Sequence, residues 1–161
     1  MSIEIIGKNA AAAKAVLSVA PTAVKNAALE KIADALIDNA DYIISENKKD
    51  LEAAKENGMS DSMLDRLALN MGRIEGMAKG ARELVAASDP VGRVLSGGVL
   101  PNGLKLRKVA VPLGVIAVIY EARPNVTADA AVLCLKSGNT VILRGGKEAI
   151  NSNKAIVKVM R

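Results

Sequence analysis

Apolar residues recur along this chain in two rhythms, and the change falls near Asp89-Pro90. Residues 1 to 88 carry helical spacing, whereas residues 91 to 161 alternate between strand and helix spacing. In the first stretch, Lys8 to Val19 is rich in alanine and favours helix. Pro21 stands where a helix can begin, because its missing N–H costs nothing in a first turn. Val24, Ala28, Ile32, Ala35 and Leu36 then share a face, with Lys25, Glu30, Lys31, Asp34 and Asp38 largely on the others. Asn39 to Asp41 closes that helix and opens one carrying Tyr42, Ile43, Leu51 and Ala54, which Asn57-Gly58 ends. Ser60 or Ser62 can cap a short helix with Leu64 and Leu67. Asn70 caps the next, whose Ile74, Met77, Ala81 and Leu84 line up. Gly72, Gly76 and Gly80 fall at every fourth position there, which predicts close approach of a neighbouring helix.

The second stretch opens with a hairpin and edge strand over residues 91–112. Gly97 to Leu100 and Leu104 to Val109 flank the turn tripeptide Pro101-Asn102-Gly103. Leu104 and Leu106 alternate with Lys105 and Arg107, a strand with one wet face. Residues 113–161 read as a β-α-β-α unit. Gly114 to Tyr120 is an unbroken apolar run that suits a strand buried on both faces. A helix from Asn125 or Thr127 to Lys136 follows, stopped by Ser137-Gly138-Asn139. Thr140 to Leu143 is a second buried strand, and Arg144-Gly145-Gly146-Lys147 leads into a last helix from near Glu148. The two strands are expected to be parallel, with a right-handed crossover. The last helix reaches Arg161 without a cap, so the chain is expected to be truncated.

Half of the residues are hydrophobic, yet there are two Tyr and no Phe or Trp. Small aliphatic side chains must therefore do the packing, which suits helices against a parallel sheet. The net charge of +5 comes from 22 basic and 17 acidic residues. The lysines are interspersed with acids and no aromatic platform exists for base stacking, so nucleic acid is not expected. Anionic small molecules fit that mild positive field better. A single cysteine, Cys134, rules out an internal disulfide and makes a cytoplasmic setting the default. With no His, neither a structural zinc site, nor any other metal site, nor a His-based catalytic pair is expected. MSIEIIGKN does not have the pattern of a signal peptide, and no apolar run reaches the ~18 residues of a membrane span.

Ligands of open parallel sheets bind beyond the carboxyl ends of the strands. Two polar segments sit there: Glu121-Ala122-Arg123-Pro124-Asn125 and Arg144-Gly145-Gly146-Lys147-Glu148. In the second, paired glycines admit a ligand close to the backbone, and two cations stand at the start of a helix. That describes a nucleotide phosphate or ribose site, and equally an ordinary βα turn with solvated charges. The G-x-G-x-x-G fingerprint is absent. Cys134 lies in the apolar run Ala130 to Leu135, so it is expected to be a buried small hydrophobe and not an activated thiolate.

The stretch VPLGVIAVIYEARPNVTADAAVLCLKSGNTVILRGGKEAINSN, residues 111 to 153, resembles the γ-glutamyl phosphate reductase family of the aldehyde dehydrogenase superfamily. YEARPNVT and LKSGNTVILRGGKEA are its most specific parts, and SDSMLDRL and the approach from Asp89 to Val115 are similar as well. The resemblance implies an α/β fold: an amino-terminal helical layer plus the first βαβα part of a Rossmann-like parallel sheet, truncated. The whole chain, 1–161, would then be the amino-terminal part of an NADP-binding domain, with the catalytic domain absent. It implies NADPH-dependent reduction of L-glutamyl 5-phosphate to glutamate 5-semialdehyde and phosphate, in proline biosynthesis. Arg144, Gly145, Gly146, Lys147 and Glu148 would form a wall for NADPH/NADP, although Lys147 replaces the Ser expected there. Asn125 stands near the superfamily's oxyanion-hole Asn, at a shorter spacing to Gly138-Asn139 than usual. Arg123 and Glu121 are the substrate-binding candidates: Arg123 meets a phosphate or carboxylate, or else merely pairs with Glu121. The nucleophilic cysteine would belong to a later domain, leaving this chain alone inactive. A small-molecule acyl phosphate, a homo-oligomer and functional association with glutamate 5-kinase are the implied partners. The alternative is a stand-alone nucleotide-binding or assembly module without catalysis.

Overall fold

The computed structural model describes residues 2–161. Helices occupy the amino-terminal half: α1 (Ile3–Leu17), α2 (Thr22–Asp38), α3 (Ala40–Glu56), α4 (Asp61–Leu67) and α5 (Met71–Ala86). Their limits follow local chemistry. The Ser2 hydroxyl accepts from the Ile5 N–H and starts α1 earlier than the alanine run foretold. Asn70 caps α5 by accepting from the Arg73 N–H at 2.9 Å. Asn39 ends α2 and begins α3, and Gly58 closes α3 at a φ of 72°. The hairpin of β1 (Val94–Val99) and β2 (Lys105–Val109) comes next, then β3 (Val115–Ile119), α6 (Asn125–Lys136), β4 (Thr140–Arg144), a 3-10 turn (Lys147–Ala149) and α7 (Ile150–Met160). β3 and β4 pair in parallel, from Val115 with Thr140 to Ile119 with Arg144.

The main core lies between helices, not between helices and sheet. Leu36, Ala40 and Ile43 of α2 and α3 meet Ile74 and Met77 of α5 and Ala155 and Ile156 of α7. A second cluster joins Leu29 and Ala33 to Ala78 and Ala81 and to Val132 of α6. Alanines at these crossings let the backbones come close. The glycine repeat does not serve that purpose. A Cβ at Gly76 or Gly80 would meet nothing within 4 Å, and one at Gly72 only the capping Asn70 side chain at 3.6 Å. The repeat lies away from the buried face, and the expectation of glycine-mediated approach fails.

Three other expectations are corrected. The buried face of α2 is turned to Lys25, Leu29, Ala33 and Leu36, while Val24 is exposed. Lys25 can occupy that face because Asp89, just past α5, supplies the counter-charge: Nζ lies 2.9 and 2.7 Å from its two carboxylate oxygens. The hairpin is wet on both faces, not one, with Leu106 at 57% exposure, since no other element packs over it. β3 alternates exposed and half-buried residues, not buried ones, and Ile119 is 77% exposed. Helix α1 packs on the β3–β4 pair, and Thr140 donates its hydroxyl to the Ala10 carbonyl at 3.1 Å.

α7 lacks a side-chain cap of its own. Asp50 of α3, 3% exposed, provides one from outside: Oδ2 accepts from the N–H and hydroxyl of Ser152 at 2.7 and 2.6 Å. Oδ1 accepts from the N–H and amide of Asn151 at 3.1 and 2.8 Å. The carboxylate thus meets the positive end of the helix dipole. Asn47, one turn earlier on α3, donates to Ser152 Oγ and the Leu67 carbonyl, both at 2.9 Å, and accepts from the Leu69 N–H at 2.8 Å.

Two outcomes are expected. Asp50→Ala, which strands the first N–H groups of α7, should lower stability by about 2–3 kcal/mol in urea unfolding. At Asp89, burial by itself raises the carboxyl, but hydrogen bonds from Lys25, Thr22 and the Val91 N–H, with the Lys25 charge, outweigh it and hold the pKa at about 2, below the ordinary 3.8. The unfolded chain therefore takes up this proton more readily than the folded one. The stabilisation should be full above about pH 4 and fade as the pH falls through 2. Asp89→Asn should cost roughly 3 kcal/mol at neutral pH and flatten that acid limb.

Candidate functional site

Parallel pairing brings both polar loops to one end of the β3–β4 pair. Register places Ile119 beside Arg144, and the Tyr120 N–H donates to the Arg144 carbonyl at 3.1 Å. The chain then leaves β3 through Glu121 to Pro124 into α6, and leaves β4 through Gly145 and Gly146 into the 3-10 turn. A buried polar relay ties the two exits together. Thr127 of α6 donates its hydroxyl to Asn153 Oδ1 of α7 at 2.8 Å. With that hydrogen spent, Tyr120 is the donor of its own 2.6 Å bond to Thr127 Oγ1.

The structure brings Arg123 and Asn125 together. They line a cavity of about 420 Å³ between α4, α5 and the start of α6, with Asp65, Arg66, Arg73 and Asp129 among its walls. The Asn125 amide donates to Asp129 Oδ2 at 3.0 Å. Burial pushes the Asp129 carboxyl up, against the lowering effect of that hydrogen bond. Arg73 is already engaged: it donates to the Asp65 and Ala68 carbonyls and to the Asp65 carboxylate. Glu121 lies beside Arg123 in an adjoining cavity of about 210 Å³, which also holds Arg66 and Tyr120. Among the described residues Arg123 and Glu121 form no ion pair; only the Arg123 N–H meets the Glu121 carbonyl, at 2.8 Å. Sequence reading missed Asp129 and Arg66. Asp129 was signalled by its place one helical turn after Asn125, whereas Arg66 comes from the helical half and is brought in only by the fold.

The five residues expected to form the cofactor wall do not share one cavity. Gly145 lines a hollow of about 510 Å³ with Tyr120, Leu143, Asn153, Lys154 and Arg161, which the other four do not line. A Cβ on Gly145 would run into the Asn153 amide and come within 3.1 Å of the Tyr120 ring. A Cβ on Gly146 would strike the Glu148 carboxylate, a flexible end. Arg144 and Lys147 are exposed. The hollow at Gly145 sets the apolar Leu143, Ile150 and Val157 beside the cations Lys154, Lys158 and Arg161.

Cys134 is 6% exposed and unpaired, and burial raises its thiol. Among the described residues no group of His, Cys, Asp and Glu is placed to hold a metal ion. Among the described residues no helix is long and apolar enough to cross a membrane.

No family model matches the chain. Individual proteins do. The γ-glutamyl phosphate reductase of Histophilus somni is 53% identical over 161 residues, all of this chain and 38% of that protein. The solved γ-glutamyl phosphate reductase of Thermotoga maritima superposes with a TM-score of 0.92 at 46% identity, over 95% of this chain and 37% of that one. A probable aldehyde dehydrogenase from Listeria monocytogenes, 17% identical, matches with a TM-score of 0.68 over 95% of this chain and 31% of that one, which shows the shared fold. The chain thus spans little more than a third of the length of the curated relatives it matches.

Buried and with its thiol raised, Cys134 should resist alkylation. Iodoacetamide at pH 7.5 (about one unit below an ordinary thiol pKa) should leave it unmodified in the folded chain and label it in urea, as mass spectrometry would read.

Proposed function

We propose that this chain, which belongs to the γ-glutamyl phosphate reductase family and matches its amino-terminal portion, serves the NADPH-dependent reduction of L-glutamyl 5-phosphate to glutamate 5-semialdehyde and phosphate. The observation that carries this reading is identity of about half over the full chain, with YEARPNVT and LKSGNTVILRGGKEA at the two loops that the parallel pair brings together. Proline biosynthesis, a cytoplasmic setting, a homo-oligomer and association with glutamate 5-kinase belong to the same proposal.

The residues divide the work. NADPH would lie at the carboxyl end of β4, where Arg144 and Lys147 would face its ribose or its 2′-phosphate, with Gly145, Gly146 and Glu148 completing the wall. NADPH, when bound, supplies the hydride. Asn125, with one amide hydrogen on Asp129, would direct the other to the oxygen on which negative charge develops when the acyl phosphate is attacked. Arg123 and Glu121 border the substrate. That attack needs a thiolate, and Cys134 does not offer one, so the 161-residue chain alone contributes binding and positioning.

The test is a chimera in which this chain replaces the matching segment of the Thermotoga maritima reductase. It should reduce glutamyl phosphate with NADPH, and a folded but inert chimera would sink the reading. Asn125→Ala in that chimera should lower kcat by about 100-fold with little change in KM. Arg144→Glu should erode the preference for NADPH over NADH, whereas an unaltered preference would remove Arg144 from the cofactor site.

A further inference from the structure

The 420 Å³ cavity holds more charge than an acyl carbonyl requires. Of its five charged residues, Asp65 and Arg73 are consumed by each other at 2.9 Å. Arg66, Arg123 and Asp129 have no ion-pair partner among the described residues. Asp129 is half-buried, and among the described residues its only side-chain partner is the Asn125 amide on Oδ2, which leaves Oδ1 to accept. Two cations and one carboxylate, all unspent in one hollow, suit a ligand that carries both an anion and a cation at one end.

We propose that this cavity seats the α-amino-acid end of the substrate, Asp129 accepting from its ammonium and Arg66 and Arg123 donating to its carboxylate. This deepens the reductase reading and rests on it. The geometry is consistent in scale. Asn125, which would face the reacting carbonyl, is bonded directly to Asp129, and a short carbon chain is all that separates the two ends of a glutamyl group. Burial works against the Asp129 charge, so an ammonium beside it would offset that cost. Asp129 and Arg66 would therefore decide which acyl phosphates are accepted, distinguishing an amino acid from a plain dicarboxylic acid.

The experiment titrates the 161-residue chain with L-glutamate, glutarate and 4-aminobutyrate, read residue by residue in amide NMR spectra. Glutarate lacks the ammonium and 4-aminobutyrate the α-carboxylate. L-Glutamate should shift the resonances around Arg66, Arg123 and Asp129, and each of the other two should bind about tenfold more weakly or worse. Asp129→Asn should make L-glutamate and glutarate equivalent. Arg66→Gln, an exposed change that leaves the core alone, should weaken both. Equal binding of L-glutamate and glutarate by the unaltered chain, or shifts away from this cavity, would overturn the proposal even if the Asp129 variant failed to fold. An active chimera that discriminates neither analogue would sink this inference alone. An inactive chimera beside selective glutamate binding would sink the reductase reading alone.

Discussion

The two loops at the carboxyl ends of β3 and β4 depend on where α7 begins, and Asp50 sets that. A helix that follows a strand through two glycines and a 3-10 turn has little of its own to fix its first residue. Asp50 removes the freedom by accepting four hydrogen bonds from Asn151 and Ser152 in a buried setting. With the first turn of α7 pinned to α3, Asn153 is delivered to Thr127, and Thr127 to Tyr120 at the end of β3. The exit loops of both strands are thereby referred to one helix. The helical half is thus part of the site's frame, and Asn47 extends that frame to Leu67 and Leu69, on either side of which stand Arg66 and Arg73.

Much of this was legible in the sequence where local chemistry decides. Helix ends at Asn39, Gly58 and Asn70, the turn at Pro101-Asn102-Gly103 and the parallel β-α-β unit all follow from residue types within a turn or two of one another. What was not legible depends on partners distant in the chain. Lys25 reads as a surface lysine until Asp89, 64 residues away, is placed beside it. Asp50 and Ser152 are ordinary polar residues until the packing of α7 on α3 brings them together. The alternation of Leu104 and Leu106 described a strand correctly but implied a cover that no element of this chain provides.

The exposed faces have a physical meaning of their own. β3, the hairpin and the segment between them keep large apolar side chains in water, among them Leu106, Val111, Leu113 and Ile119. Hydration of such surface is unfavourable in proportion to its area. The helical core does not share this deficit, because its Leu, Ile and Ala contacts close among α2, α3, α5, α6 and α7. Stability therefore rests on the helices, and the strands are carried by α1 and α6 rather than the reverse.

Gly145 shows how a binding motif and a packing requirement can be one feature. A bare backbone there reads as space for a ligand, yet the Asn153 amide and the Tyr120 ring already press on the position a Cβ would take. Asn153 is the residue that bonds Thr127, so a side chain at Gly145 would push on the relay that joins the two loops. The glycine is thus required before any ligand arrives. What it secures is the fixed relation of the β4 exit to Thr127, two residues along α6 from Asn125. Asp50 fixes the first turn of α7, and Asn153 carries that position across to Thr127 and so to the end of β3.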